Sequence, residues 1–183
     1  MIEDARGQVR AAFPHVDAVE DDALREGVLR AWETAMADND VSDLASVPWL
    51  PPEQERLGLP EETLLEHVRE VVAGSVALAE SLAETRGDRL ECSMDLVLAG
   101  ALVHDVSKCY EYDGMEETGI GGRLGHPHFG VHVAATAGLP VEVQHVVLAH
   151  SPRSAVEPAT LEARLVTWAD RAAVAAIESR AEG

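Results

Sequence analysis

The sequence predicts an all-helical domain. Hydrophobic residues make up 46% of the chain but aromatic residues only 4%, so the core must come mostly from Leu, Val and Ala. Apolar residues recur at helical spacing over residues 61–84 and 160–179. No stretch shows the convincing alternation of a half-buried strand. At 183 residues the chain suits one domain with a sizeable core.

Each element has its own signal. Phe13-Pro14 interrupts any early helix. Asp21 or Asp22 can cap a helix running to about Asn39, with Leu24, Val28, Ala31, Trp32 and Ala35 on one face. Residues 47–52 form a proline-rich loop whose Trp49 and Leu50 should pack against the body. Pro60 marks the next helix start, and Glu61 and Glu62 suit its positive end. That helix runs to about Glu84, with Leu64, His67/Val68, Val71, Ser75, Leu78 and Leu82 on one stripe. Gly87-Asp88 breaks it. Cys92 to about Ser107 reads as a buried helix, because Met94 to Val103 is almost wholly apolar. Glycines punctuate a loop over 113–125, long enough to hide a short hairpin. Short helices follow from Phe129 to Ala137 and from Pro140 to His150. A last helix spans Thr160 to about Ser179, with Val166, Ala169/Asp170, Ala173 and Ile177 on one face.

Charge narrows the function classes. There are 33 acidic residues against 14 basic ones, a net charge of -19, and Lys108 is the sole lysine. A non-specific nucleic-acid surface needs a basic face, and so does docking on anionic membranes. Both are argued against. Cys92 and Cys109 form no C-x-x-C, which speaks against a disulfide framework and a thiolate zinc site. Met1-Ile2-Glu3-Asp4 lacks a leader pattern, and no apolar run has the length of a membrane span. A soluble, cytoplasmic protein is the expectation.

The chemistry lies in polar residues at apolar positions. His104-Asp105 closes the apolar run, and buried charge is costly unless paired or metal-bound. His67, His150 and Asp170 also fall on the apolar sides or ends of helices, and His126 opens Gly125-His126-Pro127-His128-Phe129-Gly130. Imidazoles and carboxylates together bind divalent transition metals: manganese, iron, zinc, nickel or cobalt. Neighbours on a helix project about 100° apart, so a His-Asp pair can approach one metal from two directions or bridge two. Bland alternatives stand beside this. His104-Asp105 can be a buried bonded pair, His150 can cap its helix, and Asp170 can pair with Arg164 or Arg171. His15 and His145 read as surface residues.

The order His67 … His104-Asp105 … Asp170 resembles the HD-domain superfamily of metal-dependent phosphohydrolases, a helical bundle with the signature H … HD … D. The resemblance covers about residues 60–180. His104-Asp105-Val106-Ser107-Lys108 is similar to the family's HDxGK run, with Ser107 where glycine is usual. His126-Pro127-His128-Phe129-Gly130 is similar to the HPxxG run of its binuclear branches, and Trp168-Ala169-Asp170-Arg171 to the closing A-D. The resemblance implies an HD domain over 60–183, with residues 1–59 as an added helix and proline-rich loop packed on it. It implies one metal on His67, His104, Asp105 and Asp170. A second would lie on His126 and His150, with Asp105 bridging. His128, an i,i+4 partner of His132, competes with His126.

The resemblance further implies hydrolysis of a small phosphorylated metabolite or nucleotide by a metal-activated water, with Asp105 and Lys108 as catalytic groups. Lys108, Arg123, His128 and Arg153 are candidates for contacting the substrate; for Lys108, the last-turn carbonyls of its helix are an alternative partner. Two rivals share the ligand set: a mixed-valent di-iron oxygenase, and a non-catalytic domain that binds a nucleotide or protein partner. Association into a homo-oligomer is left open.

Overall fold

The computed structural model describes residues 5–181; Met1–Asp4, on which the expectation about a leader rests, lie outside the described residues. The architecture is all-α, as expected. The helices are α1 Ala5–Ala12, α2 Asp22–Asp38, α3 Pro51–Leu57, α4 Leu64–Arg86, α5 Met94–Val103, α6 Lys108–Glu111, α7 Gly119–Arg123, α8 Gly125–Thr136, α9 Val141–Ala149 and α10 Leu161–Ala181.

The buried helix α5 is the axis. Val97 to Val103 are all buried, and α2, α4, α9 and α10 pack around them. A Cβ on Gly100 would come within 2.9 Å of the Val146 side chain, so glycine lets α5 and α9 approach closely. The helix ends at Val103, four residues earlier than expected. His104 to Ser107 instead form tight turns, with Val106 N bonded to Val103 O and Lys108 N to Asp105 O. The apolar run stops there, and the polar residues turn out of the helix.

Other boundaries also moved. Helix α4 starts at Leu64 rather than beside Pro60, because the Thr63 hydroxyl caps it by accepting from Glu66 N at 3.2 Å. Its buried row follows Ser75 and Ala79, which leaves Leu78 38% exposed. The proline-rich loop gives way to α3, with Pro51 in its first turn where a missing N–H costs nothing. The loop is stitched to the start of α4 by Leu64 N to Val47 O (2.9 Å) and Trp49 N to Glu62 O (3.2 Å). The glycine-rich loop does hold a hairpin, β1 Tyr112–Asp113 against β2 Glu116–Glu117. Helix α8 begins at Gly125, four residues before the expected Phe129, and this draws His126 into its first turn. His145 is half-buried rather than a surface residue, and its Nε2 accepts from Ala159 N.

Candidate metal centre

Six predicted residues converge on Asp105 or its neighbours. His67 comes from the second turn of α4, and His104 and Asp105 from the turn after α5. His126 comes from the start of α8, His150 caps the end of α9, and Asp170 lies mid-way along α10. Helices α4 and α10 pack side by side, which brings His67 Nε2 to 3.1 Å from Asp170 Oδ1. All six residues are buried.

Asp105 divides its two oxygens between two pairs of histidines. Its Oδ2 lies 3.4 Å from His67 Nε2 and 3.5 Å from His104 Nε2. Its Oδ1 lies 3.5 Å from His126 Nε2 and 3.4 Å from His150 Nε2. Donor atoms of His67, His104 and Asp170 form one tight group, and those of His104, Asp105 and His150 another.

The histidine hydrogen bonds fix what faces the centre. His104 Nδ1 lies 2.7 Å from Ala101 O and His150 Nδ1 2.8 Å from Val147 O. A carbonyl only accepts, so each Nδ1 donates and each Nε2 keeps a lone pair in the neutral ring. These bonds use orphan carbonyls at helix C-termini, so His150 caps its helix and the same bond aims its Nε2 inward. His104 Nε2 and Asp105 Oδ1 have no hydrogen-bond partner. Burial keeps the His104 ring neutral, lowering its pKa against the pull of Asp105. Burial would raise the Asp105 pKa, but Lys108, His104 and His126 outweigh it and hold the carboxyl well below its usual range. Imidazole lone pairs facing a buried carboxylate repel unless a cation stands between them. Nitrogen and oxygen donors in this arrangement fit a divalent transition metal. At His67, burial opposes the charged ring, while Asp105 and Asp170 overcome it and raise the pKa.

Lys108 turns inward. Its Nζ donates to Asp105 Oδ2 at 3.0 Å and to Trp49 O at 3.1 Å, rather than to the last-turn carbonyls of its helix. The Trp49 ring lies 5.6 Å from that nitrogen and 5.6 Å from the His67 ring, so the proline-rich loop roofs this side of the cluster. Asp170 pairs with His67; Arg164 bonds Pro158 O instead.

His126 faces inward and His128 does not. His128 is exposed, with Nδ1 on Leu124 O, and Arg123 is exposed beside Gly119 O. Neither joins the cluster. Arg153 lies at its edge, half-exposed, with its guanidinium on Glu111. The sequence reading missed Glu111, which is 0% exposed and accepts from His126 Nδ1 (3.1 Å) and His126 N (3.3 Å). Burial opposes its charge, yet His126 and Arg153 lower its pKa. Ser107, the departure from glycine, is buried and donates to His126 O at 2.7 Å. No periodic pattern marks Glu111 in the sequence, because α6 has only four residues.

Among the described residues no helix is long and apolar enough to cross a membrane. A family model for the HD domain matches residues 64–175. The chain is 32% identical over 117 residues to a Methanocaldococcus jannaschii protein, the dihydroneopterin 2',3'-cyclic phosphate phosphodiesterase. That match covers 61% of this chain and 46% of the relative, so it spans about half of the relative's length. No solved structure matches. With the helical bundle, the His/Asp cluster and the match over residues 64–175 together, the chain belongs to the HD-domain family.

Proposed function

We propose that this chain is a metal-dependent phosphohydrolase acting on a small phosphorylated metabolite or nucleotide. The observation that carries this is Asp105, whose two oxygens face separate histidine pairs. His67, His104, Asp105 and Asp170 would hold one metal. His126 and His150 would hold a second, with Asp105 between them. Bound there, such ions acidify water and polarise a phosphoryl oxygen. The relative's name makes cyclic phosphodiesters of small molecules the first substrates to test.

The protein's own groups prepare that chemistry. Lys108 holds Asp105 ionised and oriented, and two of its three N–H bonds are spent on Asp105 and Trp49 O. The third N–H remains for a substrate oxygen. The half-exposed Arg153 guanidinium is the second candidate for contacting a phosphate. Arg123 and His128 have no geometric support for that role. The described part of the 1–59 segment acts as a cover on the domain assigned to 60–183, with Trp49 excluding water from Lys108 and His67.

The test is hydrolysis by metal-loaded protein on a panel of linear and cyclic phosphoesters, with His104→Ala as control. Metal-dependent turnover lost in the folded variant supports the proposal. Fully loaded protein inert on the whole panel overturns it, and two irons with substrate-dependent oxygen uptake would replace it with the oxygenase reading.

A further inference from the structure

Three of the four clustered histidines have a fixed Nδ1, but not in the same way. His104 and His150 stand at helix C-termini, where the preceding turn offers free carbonyls. Each bonds the carbonyl three residues back, Ala101 O and Val147 O. His126 stands at the opposite end of a helix, in the first turn of α8 just after Gly125 at φ +70. Helix α7 ends just before it, at Arg123, but the His126 ring bonds none of its carbonyls and takes its acceptor from elsewhere in the fold.

Glu111 supplies it. One carboxylate oxygen receives His126 Nδ1 at 3.1 Å and the other receives His126 N at 3.3 Å. From the other side, Ser107 Oγ grips His126 O at 2.7 Å. The residue is therefore held by ring, amide and carbonyl together, and Nε2 is left 3.5 Å from Asp105 Oδ1. Glu111 is fully buried, and Arg153 balances its charge. A carboxylate behind an imidazole also makes the far nitrogen a better donor than a carbonyl does.

We propose that Glu111 is the positioning residue of the second metal site: it selects His126 over His128 and sets the affinity of that site alone. The inference rests on the binuclear reading proposed above. The first site draws on His67, His104 and Asp170, none of which bonds Glu111.

The test is a cobalt(II) titration of the metal-free 183-residue chain, followed by visible absorption and elemental analysis. Wild type should take up two ions. Glu111→Gln keeps the size and removes the charge. It should bind the first ion normally and the second about 10- to 100-fold more weakly. His126→Ala should lose the same ion, and adding Glu111→Gln to His126→Ala should weaken binding no further. A merely structural role for Glu111 would instead weaken both ions, and additively. If Glu111→Gln fails to fold, nitrogen-15 spectra of the wild-type imidazoles decide: His126 must carry its proton on Nδ1, and a proton on Nε2 overturns the inference. Two ions of unchanged affinity in Glu111→Gln overturn this inference alone. A single ion in wild type overturns the binuclear reading and this inference with it.

Discussion

The two halves of the cluster are built by different means. His67, His104 and Asp170 are positioned by α4, α5 and α10, and the two outer helices of that set have 23 and 21 residues. His67 and Asp170 point inward because each lies on an apolar face, and packing of the two long helices fixes them, while His104 at the end of α5 is aimed by its bond to Ala101 O. His126 and His150 stand at the ends of shorter helices of 12 and 9 residues. There a local bond has to aim each ring: Val147 O for His150 and the Glu111 carboxylate for His126. The first half should withstand local perturbation, and the second should be lost piecemeal. Asp105 joins them, so it should matter to both.

Removing the junction is the largest expected effect. Asp105→Asn keeps the shape but not the charge, and should drop both metals and reduce phosphoester turnover to the uncatalysed background. Elemental analysis beside the activity assay checks it. Retention of either ion would show that the halves are independent of Asp105. Next come the halves themselves. His104→Ala should abolish turnover and metal in the first half, whereas His126→Ala should keep one ion per chain. Equal loss in both variants would erase the contrast.

Chelation measures what the ions contribute to the fold. Saturation at about 100 times Kd stabilises by about 2.7 kcal/mol per site, and a chain of this size shifts by about 2–4 °C per kcal/mol. With both sites filled, melting with and without chelator should therefore differ by about 10–20 °C, and His126→Ala should fall between the two.

Gly130→Ala probes the support under His126. A new Cβ would lie 2.5 Å from a Val147 methyl and 3.0 Å from Ser107 Oγ, the atom that holds His126 O. Overpacking of this kind costs about 1–3 kcal/mol. Denaturant unfolding should show that loss, and metal analysis should show the second ion weakened before the first. The smallest effect is Thr63→Ala, which removes the α4 cap at a cost of about 1 kcal/mol. It should lower the unfolding midpoint without changing the metal count, because His67 is held by packing one turn further on.

Legibility followed the same division. His67, Asp105 and Asp170 stood out because a polar residue breaks a long apolar stripe or run, and such patterns survive in one dimension. The helical bundle was legible for that reason as well. Ser107 read only as a departure from glycine; in the fold its hydroxyl holds His126 O. Glu111 was missed because it lies in a short turn with no periodicity, and its partners His126 and Arg153 are 15 and 42 residues away in the chain. Lys108 was expected to face a phosphate; its pairing with Asp105 and Trp49 O depends on where a proline-rich loop lies 59 residues earlier.

The sequence by itself determined the helices and the charged residues that could not be buried alone. Burial pattern and desolvation cost are properties of each segment, readable without knowing its neighbours. Only the tertiary structure decided which oxygen of Asp105 meets which histidine, that His126 rather than His128 turns inward, and that Glu111 stands behind it. Those choices depend on the crossing of α8, α9 and the turn after α5, where a shift of a few ångströms exchanges one hydrogen-bond partner for another.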